Sequence, residues 1–553
     1  AQNIGGIEAL TAGVAAGSNA AISGGVSVNV GKNDTRAEIA EHEKENAQKD
    51  GAEITGAKSV TVSTLDATRQ DAAVGGIAAS TQGGAVGGSV AYNGLHEQEN
   101  IARIRGAKIA LAEGGTVDVN AKNEGELNTV ALNIAASGGS AAFAGAVAVA
   151  NVKQNTTAEI ASADIKAEAA DKPAGDVSVT ADGKLTGRTF AIVGTGAGNG
   201  VAVGAGVAVN LLKADTIATI SGGKVHAANV LTNAASNLDL LNIGMGVAGA
   251  GNGGAVSGSV AVNKLTGNTK AKIAGGAKVT AEKNAVVTAK SDDRIKNYSG
   301  QITASGQGAA VGISVSTNII ESHTGAEISD SGTEVISHAK NTDAATKVKD
   351  GLDHDKLYNA PLTVGTLTGL DGLAAGRKEN AYRGIAVSAS ATHTANSFIA
   401  NGGGAGVGAS VAGTVNTNVV GGSTTARIVN ATAKADGADV SVRADDATNS
   451  GALVGTISVA GEGAALGTGS SINLINRTTE AEAARSTISA KDVDIAARSA
   501  QGVAVLTAGV SAANEASIAN SNNFVRMEQN TLFGELIVRL VNDGKIDLLN
   551  SIK

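Results

Sequence analysis

The sequence predicts an all-β chain coiled as a parallel β-helix or β-solenoid. Three observations carry this: an internal repeat of 53 to 55 residues, a period-two alternation of side chains inside each repeat, and a composition poor in large side chains. The chain has 553 residues with 75 Gly, only 2 Pro, no Cys, no Trp and 2% aromatics. A core made of Ala, Val and Ile gains its burial by stacking many thin layers, since the large aromatic contributions of ordinary cores are missing. Regular Val and Ile within a 42% hydrophobic content argue against disorder, and scarce Pro excludes collagen.

The repeat is clearest in GVAVGAGVAVNLLKADTIATI ending at Ile220, GGAVSGSVAVNKLTGNTKAKI ending at Ile273 and GAALGTGSSINLINRTTEAEA ending at Ala483. Asn29, Asn210, Asn263, Asn318, Asn418 and Asn473 share one column, and six positions after each stands Thr35, Thr216, Thr269, Thr324, Thr424 or Thr479. An Ile follows ten positions after the Asn in Ile39, Ile220, Ile273, Ile328 and Ile428. Two weaker copies carry Asn93, with one extra residue before Ile104, and Ala150 followed by Thr156 and Ile160. The step from Asn318 to Asn418 is 100 residues, so this repeat holds an insertion of about 45.

Within the repeat, Val203, Ala205, Val207 and Val209 alternate with Ala202, Gly204, Gly206 and Ala208, the period that a strand demands. Strands without crossover helices can run parallel only if the chain coils. About six strands per repeat suggest two three-sided rungs of roughly 25 residues, with eight copies giving a rod on the order of 80 Å at ~4.8 Å per rung. Three thinner rungs or one very wide rung per repeat fit the same length. The residues opposite the Val face are Gly and Ala, where a solvated face would carry Lys, Thr or Glu. That pattern predicts a flattened coil whose sheets approach closely, or a smooth surface that meets a partner.

The Asn and Thr columns read as structure: Asn suits a left-handed corner, and Thr a strand start. Chemical motifs are not supported by context. GMGVAG at 244–249 matches a dinucleotide fingerprint but leads into another strand. The seven histidines show no metal-ligand spacing, and no nucleophile elbow occurs. No catalytic residue, cofactor or metal ligand is therefore assigned, and the reading is that the chain is not an enzyme. A net charge of -8 without a basic stripe speaks against nucleic acid as a partner. No long apolar window reads as a membrane span, and the lack of Cys suits a surface location.

Interruptions of the repeat divide the chain into solenoid repeats at 1–340, a loop insertion at 341–384, further repeats at 385–520 and a C-terminal segment at 521–553. A charged stretch at 41–56 reads as a solvated loop. The insertion holds Tyr358, Arg377, Tyr382 and Arg383, residue types that anchor binding hot spots, and these four are the candidate partner contacts. In the last segment Leu532, Phe533, Leu536, Ile537, Leu540 and Val541 stand at helical spacing after Asn530 as N-cap, which predicts a capping or appended helix.

The block GAGNGGAVSGSVAVN at 249–263, followed by NTKAKI and paired VTA strands, resembles the passenger repeats of large autotransported filamentous adhesins, the fusobacterial leukotoxin-like family. The resemblance spans about nine-tenths of the chain. It implies a right-handed β-helix, display at the cell surface through an outer-membrane barrel outside this chain, and attachment to a host-cell or bacterial surface protein or glycan. A non-binding stalk or surface-layer spacer, and a polysaccharide-active β-helix enzyme, are the alternatives.

Overall fold

In the computed structural model the residues described are all except 44–48, 170–171, 353–376, 534–538, 543–544 and 549–553. They form long parallel strands and contain no helix. The strands build a 15-stranded and a 10-stranded sheet. A representative repeat runs Val177–Ala197 in the first sheet, turns at residues 198–200, and returns as Val201–Ser221 in the second. Gly222 and Gly223, both at positive φ, then turn the chain into the short strand Lys224–Ala227, and Val230–Ala250 begins the next long strand of the first sheet.

Each long strand pairs in parallel with its counterpart one repeat on, Asn210 with Asn263, Asn263 with Asn318 and Asn318 with Asn418. One repeat is thus one pass through both sheets, and the expectation of two thin rungs is replaced by a single wide one. The long strands of the first sheet start at residues 2, 53, 108, 177, 230, 285, 384, 439 and 493. At ~4.8 Å per strand these nine span only ~40 Å, while a 21-residue strand extends ~70 Å. The body is a slab, wider than it is long. Short strands such as Lys224–Ala227 and Lys278–Ala281 stack on one another in a further ladder, joined to the first sheet through Lys108–Ser137. This arrangement is consistent with a β-solenoid. The extra residue before Ile104 is absorbed by a register shift between Leu95 and Gln98, with Glu97 at φ 56°.

The alternation is decided the opposite way from ordinary practice. Ala202, Gly204, Gly206 and Ala208 face inward, while Val203, Val207 and Val209 face outward. The reason is the gap between sheets. A Cβ built on Gly206 would stand 3.3 Å from the carbonyl oxygen of Ala191, backbone of the opposite sheet, so only small side chains fit between them here. Farther from the 198–200 turn the interior thickens in layers. An Asn ladder comes first, then a Leu layer of Leu212, Leu238, Leu240 and Leu265, then the Thr column, then an Ile and Val layer holding Ile220, Ile273, Val179 and Val225.

The Asn column is a correction to the corner reading. Asn210, Asn263, Asn318, Asn418 and Asn473 lie fully buried in mid-strand, and none is among the residues at positive φ. In the first four the Nδ2 donates to the Oδ1 of the next repeat, Asn210 to Asn263 at 2.8 Å, Asn263 to Asn318 at 2.7 Å, Asn318 to Asn418 at 2.8 Å and Asn418 to Asn473 at 2.9 Å, while Asn473 donates to Ser471 at 2.9 Å. The opposite sheet bonds the same amides, as where Asn242 donates to Asn263 at 2.7 Å. Asn29 donates instead to the carbonyl of Asp71 at 2.9 Å. Thr216, Thr269 and Thr324 are likewise mid-strand and buried, and Thr324 meets Ser291 of the opposite sheet at 2.7 Å.

The C-terminal helix is also overturned. Ala516–Phe533 is a strand paired with Ala464–Ala484, and Arg539–Asn542 with Lys545–Leu548 form a hairpin. The free edge of the preceding strand offers unpaired N–H and C=O groups to Asn530, Leu532 and Phe533, and this ladder outweighs their helical spacing. Leu536 and Ile537 lie outside the described residues.

Candidate interaction surface

The insertion leaves the body as an antiparallel hairpin, Thr346–Gly351 against Lys378–Tyr382, on the outer face of the first sheet. Its base is built from residues far apart in sequence. Asn284, buried at the start of a first-sheet strand, donates to the carbonyl of Ala344 at 2.9 Å and to Thr346 at 3.1 Å, and its Oδ1 accepts from the Gly384 amide at 3.0 Å. It therefore holds both ends of the insertion. Arg377 forms an ion pair with Asp292 at 2.8 Å and donates to the carbonyls of Ser291 at 2.8 Å and Asp350 at 3.2 Å. Burial pushes the Asp292 carboxyl up, but the Arg377 guanidinium pulls it net below the usual carboxylate range.

Tyr382 packs with Val286 and Ala386, and its hydroxyl donates to Asp350 at 2.7 Å. Burial first, and then the Asp350 charge, push its phenol above the ordinary value, so it stays a neutral donor. Of the four sequence candidates, Arg377 and Tyr382 are thus brought together as anchors of the hairpin. Arg383 is exposed beside them, and Tyr358 lies outside the described residues. Asn284, Asp292 and Asp350 were missed by sequence reading. The one signal was positional: Asn284 follows Asn229 in a column just before the long strand, and the two bond at 3.3 Å.

A second polar group lies inside the slab at the level of the Thr column. Fully buried Arg477 donates to Asp446 at 2.7 Å, Thr424 at 3.1 Å and the carbonyls of Gly421 at 2.8 Å and Ser322 at 3.0 Å. Burial raises the Asp446 carboxyl, but Arg477 and then His393 draw it net below its ordinary value. His393 and Asp293 approach to 3.0 Å without the alignment of a hydrogen bond. Arg477, Asp446 and His393 are fully buried, and their bonds tie strands of both sheets together within the repeat stack.

The outer surface is divided lengthwise. Away from the 198–200 turn the first sheet presents Ser178, Thr180, Asp182, Lys184 and Arg188 outward, and the second presents Lys213, Asp215 and Thr219. Toward the turn both outer faces become apolar. On the first sheet Val130, Phe190, Ile243, Tyr298, Phe398 and Leu453 form one outer column, with Tyr298 and Phe398 rings 6.3 Å apart. On the second, Val86, Phe143, Val203, Val256, Val311 and Val411 form another.

Among the described residues, no helix is long and apolar enough to cross a membrane, and no group of three or more His, Asp or Glu could hold a metal ion. No family model, curated protein or solved structure matches the chain.

Proposed function

We propose that the chain is a surface-displayed adhesive passenger segment of an autotransported filamentous protein, coiled as a closed right-handed β-helix. It attaches the cell to a protein or glycan on a host or bacterial surface. The observation that carries this reading is the anchored insertion: a rigid repetitive body holds one hairpin at one place through Asn284, Asp292 and Asp350. Rungs supply geometry, and an interrupted rung supplies specificity. The resemblance of the repeat block to adhesin passengers points the same way.

Three carboxylates, Asp239, Asp292 and the nearly buried Asp293, line a polar cleft with Arg294, Thr392 and Thr394. Asp292 is held ionised by Arg377, which is the wrong state for a general acid. The adhesive reading is accordingly preferred to polysaccharide cleavage. The test is binding of the purified chain to epithelial and bacterial cells, with residues 353–376 intact or replaced by a Gly-Ser linker. Binding lost with the replacement is the expected result. Binding that survives it removes the insertion from the site, and no binding by either form favours a spacer.

A further inference from the structure

The outer apolar zone of the second sheet shows a ridge, a groove and a ridge. The first ridge is Val86, Phe143, Val203, Val256, Val311 and Val411, and the second is Val90, Val147, Val207, Val260, Val315 and Val415. Between them runs a column of Gly88, Gly145, Ala205, Gly258, Ile313 and Gly413, small at every level except Ile313. Their positions are outward, and Val86, Phe143, Val256, Val260 and Val415 are among the exposed large hydrophobic residues.

The glycines of the groove are not required by the fold. A Cβ on Gly88 or Gly145 would meet nothing within 4 Å, and on Gly258 its nearest neighbour is a carbonyl oxygen at 4.0 Å. None of the three has a positive φ. Inward Gly87 is different, since its Cβ would lie 2.0 Å from Asn133 Oδ1. Glycine weakens a strand interior, and where the chain's own packing does not explain it, close approach by another body does.

We infer that this face docks on the same face of a second copy of the chain, each valine ridge seated in the other's glycine groove. Three properties select that occupant. The ridges are mainly β-branched side chains of restricted χ1, repeated at the strand spacing, so like surfaces are complementary when offset by one column. No outward residue in these three columns from Gly84–Arg105 to Ser410–Val429 is charged, so like faces do not repel. With the adjoining column of Tyr92, Val149, Val209 and Val262, six strands at ~4.8 Å and seven residues at ~3.4 Å give ~690 Å². That falls within the ~600–1,000 Å² per partner of standard-size stable interfaces. A bilayer would wet the ridges but has no use for a groove.

The experiment is sedimentation of the purified chain across a concentration series, beside the triple variant Gly88→Val, Gly145→Val and Gly258→Val. The fold tolerates these outward valines, and a melting temperature no lower than the parent's verifies it. A concentration-dependent dimer in the parent, weakened at least about tenfold by filling the groove, is the expected outcome. A dimer tightened by the added valines overturns the inference, because it shows general hydrophobic adhesion. A parent that stays monomeric, or a monomer that floats with phosphatidylcholine vesicles, overturns it too. Val207→Lys with Val260→Lys gives a second arm: it must abolish the dimer, whereas Ile302→Lys on the first sheet must not.

Discussion

Replacing Asn263 by Ala tests whether the buried amide ladder holds the repeats in register. The Asn263 side chain accepts from Asn210 at 2.8 Å and Asn242 at 2.7 Å, and donates to Asn318 at 2.7 Å. Its removal strands the Asn210 donor outright and leaves Asn242 only a long bond to the Ala208 carbonyl at 3.5 Å, while Asn318 Oδ1 keeps a weaker bond from Asn297 at 3.3 Å. A stranded buried group costs about 1–3 kcal/mol, so the loss should be at least about 1–3 kcal/mol. Asn263→Leu should not recover it, since the shape is restored but the Asn210 donor remains unpaired. The control is Asn268→Ala, a half-buried residue with one bond to Asp215 at 2.7 Å, which should cost less than about 1 kcal/mol. Urea unfolding followed by circular dichroism measures both. Equal losses at 263 and 268 would refute the argument that the ladder is a structural spine.

Arg477→Met leaves the Asp446 carboxylate buried and uncompensated, and should cost about 3–5 kcal/mol in the same assay, with much of it regained when Asp446→Leu is added. The folded state depresses the Asp446 and Asp292 carboxyls, so their stabilisation is present above the unfolded value of about 3.9 and is lost as pH falls through the lower folded values. Acid titration of stability should show the parent losing this contribution only below about pH 4, and Arg377→Ala less stable than the parent at neutral pH by a margin that shrinks as pH falls, because burial without the counter-charge raises the Asp292 carboxyl. Gly206→Val drives a side chain against the Ala191 and Met245 carbonyl oxygens, at 3.3 and 3.4 Å from its Cβ, and should lower stability by about 1–3 kcal/mol. An unchanged melting temperature would disprove the close approach of the sheets.

The sequence by itself determined the strands, their parallel stacking and their register, because a strand's period of two and a repeat's length are both properties of order along the chain. The columns read at Asn210, Asn263 and Asn318 are direct neighbours in the structure, and Asn318 pairs with Asn418 across the 100-residue step. Which face of the alternation is core was not legible. Val203 and Ala202 differ by one position, and only the distance to the opposite sheet decided that the smaller one goes inside. The anchors of the insertion were hidden for a related reason, since Asn284, Asp292 and Arg377 meet across about 85 to 100 residues of chain. The last segment shows local preference yielding to context: Leu532 and Phe533 carry helical spacing, but the edge of Ala464–Ala484 offers backbone partners that a lone helix could not match. Local order was written along the chain, while the thickness of the slab, its inner polar ladders and its apolar outer faces arose only when distant repeats stacked.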